Sequence, residues 1–438
     1  MKLADLKKET IAIVGLGPEN YSLIEFLIHT KEIYPLTIFA LQSRGDMEQQ
    51  YPKLKNWKHI TWNISKPTFN NLKKFSLIIR TPGSFFSPKL RRDLKKNHTQ
   101  IISPMQLFLD FCPTKNTIGV TGTKGKGTTA SLIYSILKTG GKRVWIGGNI
   151  GVAPFSFILK IKKTDWVILE LSSFQLEDMT TSPHISVLTN FSPEHLAPSD
   201  KTVPNYHPTL SSYWNAKYNL IRYQKKNDLA IINQVLKNKT DIKKVKTKKT
   251  FFTTSTLFSN LPGDHNKENI AAAVAVARAI GLSIKTITTG VKKFKGLPFR
   301  LEKIIEKNGI TYYNDSFATT PAATITALKA FKQPILLIAG GADKGSDFTT
   351  LAKIISKQVK HLILFKGRAL PKIINSLRKA KYNPKEISMA NSMSEALSKA
   401  QEQAVSGDII LMSPACASFG LFKNYKDRGE QFNKLVKE

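Results

Sequence analysis

A glycine-rich stretch, residues 117–129, restricts the fold of this chain more than any other feature of its sequence. A short apolar β pattern over 117–120 leads into Gly122-Thr123-Lys124-Gly125-Lys126-Gly127 and then into a helical pattern over 128–138. In this order, glycines let backbone N–H groups converge on phosphate oxygens, the helix N-terminus adds partial positive charge, and a lysine reaches the outer phosphates. The stretch therefore predicts a strand–loop–helix unit that binds a nucleotide.

Three side chains of this loop have predicted roles. Lys126 is the lysine expected to meet the outer phosphates, and Thr128 or Thr129 is expected to offer a hydroxyl to Mg²⁺. The usual spacing has a hydroxyl residue directly after the lysine, but Gly127 occupies that position, so the match is loose. A structural glycine turn without a ligand is the alternative interpretation.

Length and composition bound the class of protein. A chain of 438 residues suggests two or three domains with ample core. Its two cysteines are too few for a disulfide framework, which favours a reducing compartment. Since no apolar run reaches the length of a membrane span and no signal-peptide core follows the lysine-rich start, we expect a cytoplasmic protein.

The chain is strongly basic, with 66 Lys and Arg against 31 Asp and Glu and a formal net charge of +35. Nucleic-acid binding is one interpretation of such a balance. However, the lysines are spread along the whole chain rather than gathered with aromatic residues on one motif. We therefore expect solvated surface charge that favours anionic small substrates, and no specific nucleic-acid partner.

The first hundred residues resemble a small Rossmann-like domain. A buried-strand pattern over 10–14 leads into Gly15-Leu16-Gly17 and a helical stretch over 21–30, although the third glycine of the dinucleotide motif is missing. Another strand pattern, over 77–79, runs into Thr81-Pro82-Gly83. Because α/β sheets bind ligands at the carboxyl ends of their strands, both turns are candidate substrate contacts.

The region after the phosphate loop places polar residues at further strand ends. Asn149 lies in a glycine turn after a strand pattern over 143–146, Glu170 follows a strand pattern over 166–169, and His195 follows one over 185–189. Glu170 and His195 are thus expected on the same sheet edge as the phosphate loop, where a carboxylate and an imidazole suit Mg²⁺ ligation. A structural ion pair and a loop histidine are the alternatives.

The remaining sequence predicts one more α/β unit. Asn266 and Asn269 begin an alanine-rich helix that runs to residue 280, and Arg300 ends a Gly-Leu-Pro-Phe-Arg linker. Strands alternating with helices after residue 300 indicate a second Rossmann-like fold. The fold class is α/β in three domains: a Rossmann-like domain over 1–113, a central P-loop ATPase-type domain over 114–297 and a Rossmann-like C-terminal domain over 298–438. Residues 237–249 are interpreted as a charged surface stretch.

Taken in order, these motifs resemble those of the Mur ligases, ATP-dependent amide-bond-forming enzymes of peptidoglycan synthesis. The phosphate loop, the Asn149 turn, Glu170 to Leu176, His265-Asn266, the linker and Ser413 to Phe419 occur in the family's sequence order. The resemblance is greatest to the branch that adds glutamate to UDP-N-acetylmuramoyl-L-alanine through an acyl phosphate. It implies ATP and Mg²⁺ as cofactors, a UDP-substrate-binding first domain, an amino-acid-binding third domain and a monomer.

The resemblance also implies roles for individual residues. The residues implied to be catalytic are Lys126, Glu170, His195, Lys217 and Lys344, with Thr128, Glu170, His195 and a carbamylated Lys217 as metal ligands. The implied ATP contacts are Gly122, Thr123, Lys124, Gly125, Lys126, Gly127, Thr128, Thr129, Asn266, Asn269, Arg300 and Asp315. The implied substrate contacts are Gly15, Leu16, Gly17, Thr81, Pro82, Gly83, Asn149, Ser418, Phe419 and Tyr425.

Several positions depart from the family pattern. Besides Gly127, Phe317 replaces the usual lysine, Ala40 replaces an acidic residue expected to meet uracil, Gly420 replaces an acidic residue after Ser-Phe, and the segment from His195 to Lys217 is longer than usual. We expect D-glutamate as the amino acid, with L-glutamate as the alternative. A folylpolyglutamate synthetase and a nucleic-acid-binding module on an ATPase core are the other hypotheses.

Overall fold

The computed structural model describes residues 1–32, 34–57, 59–196, 205–343 and 345–438. Over these residues the chain forms three β-sheets flanked by helices. It divides into two compact units: the first contains Met1–Leu257 and Glu268–Lys293, and the second contains Phe258–Lys267 and Phe294–Glu438. The first two sheets belong to the first unit and the third sheet to the second unit.

The first sheet has the strand order β3-β2-β1-β4-β5, and each neighbouring pair runs parallel. Its strands are β1 (Ile11–Val14), β2 (Leu36–Phe39), β3 (Ile60–Asn63), β4 (Leu77–Arg80) and β5 (Gln100–Ile102). Its helices are α1 (Pro18–His29), α2 (Arg44–Gln50), α3 (Phe69–Leu72), α4 (Pro88–Lys96) and α5 (Pro104–Phe111). This order, with β1 at the switch point, is of the Rossmann type that the sequence predicts.

The second sheet, also with parallel neighbours, has the order β11-β10-β9-β6-β8-β7. Its strands are β6 (Thr117–Thr121), β7 (Val144–Gly148), β8 (Trp166–Glu170), β9 (Ile185–Leu188), β10 (Leu229–Asn233) and β11 (Lys248–Phe252). The helices around it are α6 (Lys126–Thr139), α7 (Ser173–Leu176), α8 (Leu210–Arg222), α9 (Thr240–Lys244), α10 (His265–Ala279) and α11 (Ile284–Lys293). The central position of β6 brings the phosphate loop between the ends of β8 and β9.

The third sheet has the order β12-β13-β17-β14-β15-β16, in which β12 and β13 form an antiparallel hairpin and the other neighbours run parallel. Its strands are β12 (Glu302–Lys307), β13 (Ile310–Asn314), β14 (Ile335–Ala339), β15 (Val359–Phe365), β16 (Ile387–Ala390) and β17 (Ile409–Met412). Its helices are α12 (Pro321–Leu328), α13 (Thr349–Gln358), α14 (Leu370–Lys379), α15 (Met393–Gln403) and α16 (Tyr425–Lys437). Gly309, with φ of 75°, closes the predicted hairpin turn.

Local sequence signals account for many of the helix starts. Proline begins α1, α4, α5 and α12, where its missing N–H costs no intrahelical hydrogen bond. Hydroxyl side chains cap α7 and α8, at Ser172 and Thr209. Within the described ranges, no helix is long and apolar enough to cross a lipid bilayer.

The α/β class is confirmed, while one regional interpretation is wrong. Residues 237–249 are more than a charged surface stretch, because they contain α9 and lead into the edge strand β11. Ile242 and Val245 are buried in this segment, packing beneath lysines that keep their charges in solvent. The strands β3, β5, β10, β11 and β16 were not predicted. The domain boundaries at 113 and 297 stay predictions.

Candidate active site

The phosphate loop connects the end of β6 to the start of α6, and its glycines are required by close packing. A Cβ on Gly122 would overlap the hydroxyl of Thr189, and one on Gly125 would overlap the amide of Asn269. Gly125 also has φ of 80°, in the left-handed region that favours glycine. The backbone is therefore held in an open turn before a helix N-terminus, a shape that suits a phosphate group.

The segment after β9 holds the loop from one side. The Thr189 hydroxyl and the Asn190 side-chain amide donate to the Lys124 carbonyl at 2.7 and 3.0 Å, and the Lys124 N–H donates back to Asn190 Oδ1 at 2.8 Å. The Thr123 hydroxyl donates to the Ser192 carbonyl at 3.1 Å. These hydrogen bonds fix the loop without using the side chain of Lys126.

Two lysines converge on the loop from distant parts of the sequence. Lys126 Nζ donates to the carbonyls of Gly122 and Thr123 at 3.0 and 2.9 Å. Lys217 Nζ, on α8, donates to the same Gly122 carbonyl at 2.6 Å, and its side chain is 1% exposed. Burial lowers the pKa of Lys217 well below its usual value, and the charge of Lys126 lowers it further.

Glu170 and Asn149 form one unit at the ends of two neighbouring strands. Asn149 Nδ2 donates to Glu170 Oε1 at 3.0 Å, and the Asn149 N–H donates to the Glu170 carbonyl at 2.8 Å. Glu170 is the last residue of β8 and pairs in register with Val120, just before the phosphate loop. The predicted metal ligand and the predicted substrate contact are thus adjacent, at the same sheet edge as Lys126.

His195 lies in a group of aromatic rings beside the loop. Its backbone is left-handed, with φ of 54°, and its ring lies 5.3 Å from that of Phe174 and 6.0 Å from that of Tyr213. Burial lowers the pKa of His195; the carboxylate of Glu194 opposes this shift, and the nearby lysine charges add to it. A neutral imidazole suits metal ligation better than a charged one.

His207 was not predicted, yet it is more deeply buried than His195. Its Nε2 lies 2.9 Å from the Ser173 hydroxyl, and its ring stacks on that of Phe174 with 4.7 Å between the centroids. Its backbone N–H donates to the His195 carbonyl at 2.7 Å. Burial lowers its pKa to about 4, and the neighbouring His195 and Lys217 contribute. It lies in the segment from His195 to Lys217, which is longer than usual in the family, but no local motif in the sequence identifies it.

The two predicted asparagines of α10 belong to different compact units. Asn269 lies in the first unit, where its Oδ1 is 3.3 Å from the Thr129 hydroxyl and it packs against Gly125. Asn266 lies in the second unit, where its Nδ2 donates to the Pro262 carbonyl at 2.7 Å. Asn269 is therefore in contact with the phosphate loop.

The turns of the first sheet also lie together, as the sequence predicts for substrate contacts. A Cβ on Gly15 would overlap the side chain of Thr81, so the two turns approach closely. Leu16 is buried beside them, Gly17 precedes α1, and Pro82 and Gly83 follow Thr81. The sheet edge therefore carries both turns at the ends of β1 and β4.

An unpredicted ion-pair network supports the turn that follows β4. Arg80, 1% exposed, donates from Nε to Asp178 Oδ2 at 2.8 Å and pairs with Glu177 at 2.7 Å, while its Nη1 donates to the Ser84 carbonyl. Arg91 pairs with the same two carboxylates. Two arginines against two carboxylates balance the buried charge, and they tie the turn to the segment after α7.

The second unit has its own group of predicted residues. Asp315 is buried and accepts hydrogen bonds from the Ser413 hydroxyl at 2.7 Å and from the Leu301 N–H at 3.2 Å. Burial raises the pKa of Asp315 to about 7, although the two hydrogen bonds act to lower it. The guanidinium of Arg300 lies 3.8 Å from the ring centroid of Phe317, a cation–π contact. Phe317, which stands where the family usually has lysine, therefore contacts the guanidinium of Arg300.

The predicted amino-acid-binding residues surround the start of α16. Tyr425 begins that helix and its ring lies 5.1 Å from that of Phe317, whereas Ser418 is buried and Phe419 is exposed. Gly420 has φ of 95°, which provides a backbone reason for glycine where an acidic residue is usual.

One further buried residue of the second unit was not predicted, and one predicted residue lies outside the described part of the chain. Arg428, fully buried, donates to the hydroxyl and the carbonyl of Ser316 at 3.0 and 2.8 Å and was not predicted. The predicted Lys344 lies outside the described residues.

The residues at the phosphate loop fit the implied nucleotide and metal. The glycine positions leave a cradle that a Cβ would fill, and Lys126 lies at its helix start. Among the described residues, no group of three or more His, Cys, Asp or Glu side chains is placed to hold a metal by itself. Mg²⁺ beside a nucleotide needs one or two protein oxygens together with phosphates and water, and Glu170 and Thr128 are the predicted candidates for them.

Comparison with known proteins identifies the family of this chain. The model of the Mur ligase middle domain matches residues 120–257, and that of the Mur ligase glutamate ligase domain matches residues 299–416. The UDP-N-acetylmuramoylalanine–D-glutamate ligase of Clostridium tetani is 36% identical, covering 98% of this chain and 96% of its own. The chain therefore belongs to the Mur ligase family, whose members are ATP-dependent, amide-bond-forming ligases. A second relative of the same name, from Acetivibrio thermocellus, is 34% identical over 99% of this chain and 98% of its own.

A solved structure shows the same fold. The MurF ligase of Thermotoga maritima, determined in complex with ADP, has a TM-score of 0.58 and covers 100% of this chain and 99% of its own. Its sequence identity is 16%, so the likeness concerns the fold alone.

Proposed function

We propose that this protein joins glutamate to UDP-N-acetylmuramoyl-L-alanine at the expense of ATP, which is converted to ADP and phosphate, in the synthesis of peptidoglycan precursors. The names of the two full-length relatives support the choice of substrates. The convergence of Lys126, Lys217, Glu170 and Asn149 at one sheet edge supports the chemistry, and it is the observation on which the proposal rests.

The reaction needs activation of a carboxylate before an amide can form. In the proposed sequence, the alanyl carboxylate of the substrate attacks the γ-phosphorus of ATP, which forms an acyl phosphate and releases ADP. The glutamate amine then attacks the acyl carbon, the amide bond forms, and phosphate leaves as the amine loses its proton. Each step crowds negative oxygens together, so preorganised positive charge is the main requirement.

The first unit supplies that charge in our proposal. Lys126 would hold the β- and γ-phosphates at the start of α6, and the amides of the glycine loop would bind their oxygens. Asn149, held by Glu170 at 3.0 Å, would contact the muramoyl substrate. The turns at Gly15 and Thr81 would bind its UDP portion, supported by the Arg80 network.

The proposal includes a divalent cation as well as ATP. When bound, Mg²⁺ would neutralise phosphate oxygens, and Thr128, Glu170 and His195 are the residues that would hold it. A carbamylated Lys217 would add a carboxylate-like ligand beside the loop. The buried amine favours this modification because its lowered pKa increases the neutral fraction, which reacts with carbon dioxide.

Residues of the second unit complete the proposed roles. Asp315, Arg300 and Asn266 are proposed ATP contacts, and Lys344 is a proposed catalytic residue. Ser418, Phe419 and Tyr425 are proposed to bind glutamate, with the buried Arg428 supporting the turn at Ser316. The enzyme is proposed to act as a cytoplasmic monomer without a nucleic-acid partner.

The decisive experiment compares amino acids in one assay. The purified protein would be given ATP, Mg²⁺ and UDP-N-acetylmuramoyl-L-alanine with D-glutamate, L-glutamate or D-aspartate, and phosphate release and the ligated product would be measured. We expect product with D-glutamate. Faster ligation of L-glutamate would overturn the choice of enantiomer. Absence of product with all three amino acids, together with turnover of a folate substrate in a parallel reaction, would overturn the proposed function.

A further inference from the structure

A cavity lies at the end of the second sheet opposite to the phosphate loop. It has a volume of about 940 Å³ and is lined by the first residues of three neighbouring strands, Ile185, Leu229 and Lys248, together with the later part of α10. The phosphate loop follows the last residue of β6, so in a parallel sheet the two sites are at opposite ends of the strands. The volume is that of a site for a small organic molecule.

Positive charge predominates among the groups that line this cavity. Lys226, Lys248 and Arg278 supply three cations from three separate elements. The carboxylate of Asp228 is already engaged, because its Oδ1 lies 2.8 Å from His184 Nδ1 and its Oδ2 accepts from the Lys225 N–H at 2.6 Å. The cations therefore outnumber the acidic lining group, which favours an anionic ligand.

The rest of the lining is apolar or carries hydroxyl groups. Val274 and Ala275 of α10 form one apolar wall, and the buried Phe252 of β11 also lines the cavity. Hydroxyl residues from 253–256, which follow β11, supply hydrogen-bonding groups at the rim. A phosphate or carboxylate on a planar or apolar body matches both parts of this lining, whereas an inorganic ion would leave the apolar wall uncovered.

One helix connects this cavity with the phosphate loop. Arg278 and Ala275 line the cavity, while Asn269, on the same helix, contacts Gly125 and Thr129 in the loop. Nine residues separate Asn269 from Arg278, about 14 Å along an α-helix. Strand β10 provides a second connection between the cavity and α10. Leu229, at one end of the strand, lines the cavity, and Asn233, at the other end, donates to Glu268 of α10 at 2.9 Å.

We propose that this cavity binds a small organic anion with a planar or apolar body, and that α10 couples its occupancy to nucleotide binding at the phosphate loop. A ligand that fixes the later part of α10 also fixes the helix that carries Asn269. Coupling of this kind is reciprocal, so nucleotide binding changes the affinity of the cavity by the same factor. This inference concerns binding and does not depend on which amino acid the enzyme ligates.

Binding is tested with phenyl phosphate as the probe and benzyl alcohol as its neutral counterpart. Ligand-observed NMR titrations use the full chain with excess ADP, which keeps the probe from the phosphate loop. The Lys248→Ala/Arg278→Ala variant should bind phenyl phosphate about tenfold or more weakly, because charge-assisted hydrogen bonds are lost. The matched control, Lys243→Ala/Lys285→Ala, removes two exposed charges outside the cavity and should bind within about twofold of the original chain.

A variant that fills the cavity tests its location independently. Ala275→Phe should abolish phenyl phosphate binding while leaving the melting temperature near that of the original chain, because Ala275 lines the cavity and is not fully buried. Equal affinity in the original chain and both cavity variants would overturn the proposed site. Equal binding of benzyl alcohol and phenyl phosphate would overturn the anionic ligand class.

Coupling is tested by titrating ADP with and without saturating phenyl phosphate. We expect the ADP dissociation constant to change at least about threefold, and the change to disappear in the Lys248→Ala/Arg278→Ala variant. An ADP affinity that phenyl phosphate leaves unchanged would overturn the coupling. Since ADP binding is measured without turnover, failure here is distinguishable from failure of the proposed ligase reaction.

Discussion

Lys126 and Lys217 donate to the same backbone carbonyl, that of Gly122, at 3.0 and 2.6 Å. Two ammonium groups around one acceptor repel each other unless one is neutral or an anion lies between them. Burial lowers the pKa of Lys217 well below its usual value, and the charge of Lys126 lowers it further. The lowered pKa makes the Lys217 amine open to the proposed modification, whereas Lys126 is proposed to bind phosphate.

Replacing Lys126 with alanine should nearly abolish turnover. Loss of one preorganised charge at the phosphate oxygens typically costs about two to three orders of magnitude in rate. Phosphate release would be measured at saturating substrate, with circular dichroism as the check of folding. The control Lys142→Ala removes an exposed lysine beyond the end of α6 and should leave the rate unchanged. Near-normal release from a folded Lys126→Ala variant would contradict the assignment.

Replacing Thr128 with valine should raise the Mg²⁺ concentration needed for half-maximal activity. Valine keeps the shape but removes the hydroxyl oxygen, and a lost metal contact is expected to cost about tenfold or more in metal affinity. Thr128→Ser should restore the affinity, while Thr139→Val, at the other end of α6, should not alter it. The idea fails if Thr128→Val and the original chain show the same Mg²⁺ dependence.

Lys217 should carry a carbamate when the enzyme is active. The neutral amine attacks carbon dioxide, a C–N bond forms, and the amine releases a proton to give the carbamate anion. Growth in ¹³C-bicarbonate should give a carbamate carbonyl signal in NMR spectra that is missing from the Lys217→Met variant. Activity should fall when carbon dioxide is removed and recover with bicarbonate; activity independent of carbon dioxide would refute the prediction.

His207 should make the protein less stable in acid. Its pKa is about 4 in the folded chain against the usual 6.5, so the unfolded state binds the proton more readily. The free energy of unfolding should therefore fall as pH decreases from about 6.5 to 4, by at most about 3 kcal/mol from this group. Melting temperatures measured across this pH range should decline less steeply for His207→Phe than for the original chain.

The control for His207 is another histidine. His29→Asn removes an exposed imidazole, so it should leave the pH slope unchanged. Since His207→Phe also loses the hydrogen bond to Ser173, we expect it to be less stable at every pH, and the slope is the quantity that reports the titration. Parallel pH profiles for His207→Phe and the original chain would show that the buried imidazole does not titrate as described.

Local sequence was sufficient for the phosphate loop and for the residues at strand ends. Gly122, Gly125 and Lys126 are close in sequence, so a strand, a glycine turn and a helix start specify their geometry together. Glu170 and Asn149 also follow from local patterns, because parallel strands bring their carboxyl ends to one edge. The α/β class follows from the same alternation of strands and helices.

Tertiary packing decided the contacts between residues distant in sequence. Lys217 reaches Gly122 across 95 positions, and the loss of solvation that lowers its pKa exists only once α8 is packed. The Arg80–Asp178 pair and the cavity beside α10 arise in the same way, from elements that meet only in the folded chain. Local propensity determines which segments become strands or helices; the desolvation and charge balance of a site depend on which of those segments are buried against each other.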